Sequence, residues 1–315
     1  MRIGFLVFPG FQILDLVAVS VFELANLGRA HRAYDLRLLS EVGGLVDSSS
    51  GVQVNTRAYQ GEAFDTLIVF GAIDVDCCSP GLVSLVQAAS LLARRTASIC
   101  TGAFVLASAG LLHGRRSTTH WRTAGELQRR FPTTKVEADR IFIEDGPIWT
   151  SAGMTAGIDL SLALVEADLG TDTARAVARN LLVYHRRTAA QPQISVLLNL
   201  EPRTDRIRNA LTFARNHLHE YLPVERLAEV ARLSLRQFNR AFFDESGQTP
   251  ARAIETLRVE AARARIESGR EPIEVIARET GFTDPERMRR AFVRVFGQPP
   301  QAIRRAAKRE AEPVS

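Results

Sequence analysis

VERLAEVARLSLRQFNRAF, residues 224–242, and IEVIARETGFTDPERMRRAF, residues 273–292, are two renderings of one pattern. Each reads as a short helix, a tight turn, a capping residue and a second helix with apolar positions on one face. Each is closed by Gly-x-x-Pro, at residues 247–250 and 297–300. Any short helical hairpin imitates one such pattern, but two at a fixed interval mark a tandem helix-turn-helix unit. In the first copy Leu227, Ala228 and Val230 or Ala231 give the apolar stripe, and Ser234 stands where an N-cap is needed. Phe238 and Phe242 share a face of the following helix, which leaves Arg236, Gln237, Asn239 and Arg240 for solvent or a groove. Arg, Asn and Gln each make paired hydrogen bonds to base edges in the major groove of double-stranded DNA. In the second copy Ala277 opposes Met288 and Phe292, Gly281 supplies the turn, Asp284 caps, and Pro285 takes the first helical position. Its outward residues are Glu286, Arg287, Arg289 and Arg290.

Charge is distributed to match. The 315-residue chain has 40 basic and 35 acidic residues, net +5. From Thr204 onwards there are 21 basic and 16 acidic residues, and before it 19 of each, so the whole excess lies in the part that holds the repeat. Counterion-releasing contact with phosphates requires that placement. Arg abundance alone argues little, because only Lys135 and Lys308 among the basic residues are not Arg.

The residues from about 205 to 305 resemble the AraC/XylS family of bacterial transcription activators, most closely in GFTDPERMRRAFVRVFGQPPQAIRR. The resemblance implies two motifs joined by a long helix, here residues 249–268, and contact with RNA polymerase. It puts base contacts at Arg236, Asn239 and Arg240 in the first motif and at Pro285, Glu286, Arg289 and Arg290 in the second. Pro285 and Glu286 are poor groove contacts, so specificity is expected from the first motif and phosphate contact from the second.

The length suits two domains. No stretch is apolar for long enough to span a membrane, and the opening MRIGFLVFPG reads as a first strand rather than a signal segment, so a cytoplasmic protein is expected. Three cysteines, two of them adjacent at Cys77 and Cys78, make no disulfide framework. Buried-strand runs at residues 3–8, 36–39, 66–70 and 97–99 alternate with helical segments at 15–27, 82–93 and 104–109. That alternation predicts a parallel sheet covered on both faces, with ligands at the carboxyl ends of its strands.

Cys100 stands at such an end, in a strand–Cys-Thr-Gly–helix layout that reads as a nucleophile elbow. A helix N-terminus behind it is expected to favour the thiolate, and His120 in STTHW is the candidate base or orienting partner. The residues alone leave open the alternative that Cys100 is a small buried apolar side chain. His113 reads as a surface residue, His185 as a helix-end residue, and His217 and His219 lack companions at zinc spacing, so no metal or cofactor is expected.

ICTGAFVLASAGLLHGRRSTTHW, residues 99–121, is similar to the nucleophile region of the ThiJ/PfpI branch of the class I glutamine amidotransferase-like superfamily. TSAGMTAGIDLSLALVE (150–166) and YHRRTAAQPQ match the subgroup called the GlxA family, which fuses that domain to an AraC-type one. The resemblance implies a doubly wound, mostly parallel flavodoxin-like sheet over residues 1–188, a linker at 189–204, and an all-α DNA-binding domain at 205–315. It implies that Asp15 sits beside Cys100 and that Thr101, Gly71 and Ala72 complete a pocket wall. The wider superfamily often has Gly-Gly where this chain has Gly71-Ala72, which weakens the case for an oxyanion site. The expectation is a homodimeric activator whose former enzyme pocket binds a small-molecule effector, such as a nitrogenous metabolite, without catalysis. Two alternatives stand beside it: a redox or electrophile sensor through Cys100, with Cys77 and Cys78 as resolving thiols, and an active cysteine-dependent amidase or hydratase.

Overall fold

The computed structural model describes residues 1–76, 78–183, 187, 189, 193, 202, 204–267, 271–296 and 298–311. Cys77, His185, Ser268, Gly297 and most of the expected linker lie outside the described residues. The chain divides into two compact units, Met1–Gln193 and Ile194–Ser315.

The first unit is built on strands β1 (Arg2–Leu6), β2 (Asp35–Ser40), β3 (Gly44–Asp47), β4 (Gln53–Ala58), β5 (Thr66–Val69), β6 (Arg95–Ile99), β7 (Arg116–Ser117), β8 (Lys135–Val136), β9 (Phe142–Asp145) and β10 (Ile148–Ser151). Eight of them form one sheet in the order β3-β4-β2-β1-β5-β6-β10-β9, while β7 and β8 pair separately. Every pairing from β4 through β10 is parallel, and the antiparallel pairs are the two edges, β3 on β4 and β9 on β10. Strand direction of growth reverses beside β1, so the ends of β1 and β5 open a crevice.

The strands β5, β6 and β10 are buried at every position, because helices cover both faces. Alternate residues serve different cores. Ile3, Phe5, Val7, Ile68 and Phe70 pack with α1 (Val17–Ala25), α5 (Ala156–Leu169) and α6 (Thr171–Asn180) through Phe22, Leu160 and Val177. Leu6, Leu67 and Val69 face the opposite core with α2 (Pro80–Leu92) and α3 (Gly102–Ser108) through Val86 and Leu106. The expected helix at 15–27 is a 3-10 turn over Ile13–Leu16 followed by α1. The helix α4 (Trp121–Arg130) follows the STTHW loop.

The second unit contains α7 (Asp205–Asn216), α8 (Val224–Val230), α9 (Leu235–Ser246), α10 (Pro250–Glu267), α11 (Ile273–Glu279), α12 (Pro285–Phe296) and α13 (Pro300–Ala311). Two apolar cores organise it. Leu211, Leu227, Phe238 and Phe242 gather in one, and Ile276, Met288, Phe292 and Ile303 in the other. The long helix α10 serves both, giving Ile254 and Leu257 to the first and Val259, Ala262 and Ile266 to the second. Arg258 on that helix donates to the carbonyls of Leu218 (3.0 Å) and Glu220 (2.6 Å). Gly281, at φ +81°, lies so close to the Leu218 carbonyl that a side chain there would overlap it. Among the described residues no helix is long and apolar enough to cross a membrane.

Candidate ligand pocket and nucleic-acid interface

Four loops at the carboxyl ends of neighbouring strands converge on Cys100: Asp15 after β1, Gly71-Ala72 after β5, Cys100 itself after β6, and Gly153 after β10. Cys100 has φ +55°, the left-handed conformation that side chains resist, as expected of an elbow. Its N–H donates to the carbonyls of Ser151 (3.1 Å) and Ala152 (3.0 Å), which hold the strained turn in place. Two glycines make room for it. A Cβ on Gly71 would stand 2.8 Å from Cys100 Cβ, and one on Gly153 would stand 2.6 Å from Cys100 Sγ and 3.0 Å from His120 Cδ2. Gly153 therefore lets the thiol and the imidazole share one small space.

Asp15 is fully buried. Its Oδ2 accepts the Gly71 N–H at 2.9 Å, while Oδ1 has no hydrogen-bond partner. Burial raises its pKa to about 7, against the lowering influence of the Gly71 and Met154 amides. Sequence reasoning expected the helix N-terminus to favour a thiolate at Cys100, and the structure reverses this. Burial first, and the Asp15 carboxylate second, push the thiol up to about 12, although the Thr101 amide and hydroxyl pull the other way. One short helix does not compensate for loss of water around a charge.

Thr101 is tied to Ala72 twice, accepting its N–H at 2.7 Å and donating to its carbonyl. The Ala72 amide is thus already occupied and not free to bind an oxyanion. His120 is half-buried, and its Nδ1 accepts the Arg122 N–H at 3.3 Å as the cap of α4. Burial and the Arg122 charge lower its pKa, and among the described residues no hydrogen bond joins its ring to Cys100. Beside Asp15, Ala72, His120 and Gly153 in sequence stand exposed apolar side chains, Leu14, Ile73, Trp121 and Met154 in turn. Gly153 and Thr119, whose hydroxyl donates to the Cys100 carbonyl at 2.8 Å, are pocket-forming residues that sequence reasoning missed. Only the glycine in TSAGM could have signalled the first. Cys78 is half-buried, and among the described residues no cluster of His, Cys, Asp and Glu suits a metal ion.

In the second unit both helix pairs have their expected caps. Ser234 forms a reciprocal capping box with Gln237, and Asp284 Oδ1 accepts the Arg287 N–H at 2.7 Å. Gln237 was expected to face a groove, but its carbonyl oxygen folds back onto the Ser234 N–H (3.1 Å) and hydroxyl (2.8 Å). Asn239 Nδ2 donates to the Leu235 carbonyl at 2.9 Å. Arg236 and Arg240 are exposed on the same helix, and Arg240 has a distant partner in Asp244 at 3.7 Å. In the second motif Glu286 grips Arg289 through both oxygens at 2.8 Å, while Arg290 is exposed. Pro285 starts α12. His217 stacks on Phe213, with ring centroids 4.1 Å apart.

A doubly wound unit with a cysteine elbow, joined to a tandem helix-turn-helix unit, defines a DNA-binding transcriptional regulator of the AraC type. Comparison with known proteins agrees. The model of the DJ-1/PfpI family matches residues 1–167, and that of a helix-turn-helix domain matches residues 227–306. The chain is 31% identical to the HTH-type transcriptional regulator GlxA of Rhizobium meliloti, over 96% of this chain and 95% of that protein. It is 35% identical to the isonitrile hydratase of Pseudomonas putida, over 58% of this chain and 78% of that enzyme. A crystal structure of an AraC family transcriptional regulator from Pseudomonas putida superposes with TM-score 0.53 and 25% identity, covering 57% of this chain and 98% of that one. The chain belongs to the DJ-1/PfpI family, in its GlxA branch of transcriptional regulators.

Proposed function

We propose that this regulator is a cytoplasmic, homodimeric activator whose first unit binds a small nitrogenous metabolite among Asp15, Gly71, Ala72, Cys100, Thr101 and His120, without turning it over. Asp15 carries this reading: a buried carboxyl oxygen without a partner, beside a thiol, is a costly group that a ligand donor would satisfy. The four exposed apolar neighbours suit a ligand with an apolar part. DNA would be read by Arg236, Asn239 and Arg240, with Arg290 and Arg289 on phosphates and RNA polymerase contacted from the same unit. The linker reading, residues 189–204 between domains 1–188 and 205–315, goes with this proposal.

Catalysis is the second reading, favoured by the likeness to isonitrile hydratase. Against it stand a thiol held neutral and an Ala72 amide already bonded to Thr101. The test begins with selection of genomic DNA fragments by the purified chain. A shared motif, weakened by Arg240→Ala, is expected, and amines and amides from genes beside those sites should then change the DNA affinity of wild type and leave Asp15→Asn unaffected. Turnover of any such compound, abolished by Cys100→Ala, would replace the sensor by the enzyme.

A further inference from the structure

Gln193 is the last residue of the first unit, and its side chain is fully engaged in an unusual place. Its Nε2 shares two hydrogens among three acceptors, the Thr119 carbonyl (2.7 Å), the Ala138 carbonyl (2.9 Å) and the Thr118 hydroxyl oxygen (3.1 Å). Its Oε1 accepts the Trp121 N–H at 2.9 Å, and its own N–H donates to Asp139 Oδ1 at 3.0 Å. One carboxamide thus brackets His120 on both sides, through Thr119 and Trp121. The same loop reaches the pocket floor, because the Thr119 hydroxyl donates to the Cys100 carbonyl at 2.8 Å. The path from Cys100 to the end of the first unit is therefore two hydrogen bonds long: Cys100 to Thr119, and Thr119 to Gln193. The residue after Gln193 opens the unit that carries the helix-turn-helix motifs.

A second anchor lies nearby in sequence. Arg187 donates from its N–H to Asp159 Oδ1 (2.9 Å) and from Nε to Oδ2 (2.9 Å), and from Nη2 to the Thr155 hydroxyl (2.9 Å). Asp159 is buried on α5, just after the Gly153-Met154 turn. Arg187 thus fixes the wall that carries Gly153, and Gln193 fixes the wall that carries His120. The Arg187 anchor is an ion pair on a buried carboxylate, whereas the Gln193 carboxamide holds the His120 loop through neutral hydrogen bonds, its one charged partner being Asp139 on the backbone N–H. Neutral bonds at a partly exposed site are the weaker of the two and yield first.

We propose that Gln193 is the positioning residue that couples the pocket to the DNA-binding unit. A ligand that displaces His120 or the Cys100 turn moves Thr119, loosens the Gln193 clamp, and changes how firmly the chain leaving the first unit is held. The inference rests on the sensor reading given above, and it concerns the route of the signal rather than its chemical trigger. Coupling of this kind is reciprocal: a change at Gln193 must be felt at Cys100 as strongly as the reverse. Contiguity alone does not demonstrate coupling, so the energetic cycle is what decides.

The experiment is amide hydrogen exchange on the full chain, read by mass spectrometry. Gln193→Ala should speed exchange of residues 118–121 about tenfold, because several hydrogen bonds holding that loop are lost. It should also raise the rate at which iodoacetamide alkylates Cys100 by about threefold, by opening the loop beside it. Gln193→Glu keeps the acceptor for Trp121 but loses the donors, and should reproduce most of both effects. In the other direction, Gly153→Ala crowds Cys100 and His120 and should alter exchange of residues 189–204 in the wild-type background but not with Gln193→Ala. Should Gly153→Ala not fold, Thr119→Val, which removes the link to the Cys100 carbonyl, serves the same cycle. Unchanged exchange at 118–121 in both Gln193 variants overturns the proposal. So does a response at 189–204 that is equal with and without Gln193. The sensor reading is judged separately, by the DNA affinity of wild type with and without the amines and amides of the preceding test: no response to any of them, with the exchange cycle intact, removes the sensor and leaves the clamp standing.

Discussion

Thr101 holds Ala72 by both of its peptide groups: its hydroxyl accepts the Ala72 N–H at 2.7 Å and donates to the Ala72 carbonyl. The two residues belong to different strand ends, so this single hydroxyl sews the β5 loop to the cysteine elbow. Thr101→Val keeps the shape and removes the hydroxyl. It should destabilise the first unit by about 2 kcal/mol, because two buried backbone groups lose their partner. Urea denaturation monitored on the full chain checks this, and no change in midpoint would show that the buried pair is satisfied otherwise.

Asp15 makes stability depend on pH in a definite direction. Its pKa is about 7 in the folded chain and 3.8 without burial, so the folded state holds the proton more tightly. Its contribution is therefore most favourable below pH 4 and is lost as pH rises to about 7, by on the order of 4 kcal/mol, with no further change above that. Asp15→Asn should remove this slope and be more stable than wild type at pH 8. Melting temperatures of both proteins at pH 5 and pH 8 decide it, and parallel pH profiles would place the proton elsewhere.

Cys100 should be a sluggish thiol. With a pKa of about 12 it is almost entirely protonated at pH 7.5, and alkylation should run at least about tenfold slower than at the half-buried Cys78. Peptide mass spectrometry after iodoacetamide treatment, in a Cys77→Ser background, measures both rates in one sample. If Cys100 reacts faster than Cys78, the redox-sensor reading gains what the metabolite reading loses. Asp15→Asn should speed Cys100, since it removes a carboxylate that opposes ionisation.

Glu286 restrains the second motif. It holds both ends of the Arg289 guanidinium, so that cation is shared before any phosphate arrives. Glu286→Ala should tighten DNA binding several-fold and add about one to the slope of log affinity against log salt. A salt titration by fluorescence anisotropy reads both, and an unchanged slope would mean that Arg289 lies away from the backbone.

The buried runs at β1 and β5 were legible because strands covered on both faces are largely apolar, whereas β6, RTASI, showed only its Ala97–Ile99 end. The paired motifs were legible because repetition makes a weak pattern specific. The β9–β10 hairpin was missed although Asp145-Gly146 is a strong turn signal, since the strands on either side are only four residues long. Gly153 was missed for a deeper reason: TSAGM displays a glycine, but not that Cys100 and His120 fill the space its absent side chain leaves. The same holds for Gln237, whose role turned on whether its carboxamide pointed out or back to Ser234. The charge states of Asp15 and Cys100 were the least legible of all. They depend on how much water reaches two groups 85 positions apart in the chain, not on either residue.

Cys100 and Met154 both hold φ at +55°, a conformation that costs a residue with a side chain about 1–2 kcal/mol. Each sits on one of the turns flanking the pocket, and neither is glycine. The surrounding bonds, Ser151 and Ala152 on the Cys100 N–H among them, hold the turns against their own preference. Heat should therefore undo this molecule in sequence. The two turns relax while the sheet beneath them is still intact, and the space around Cys100 loses its shape before the unit loses its fold.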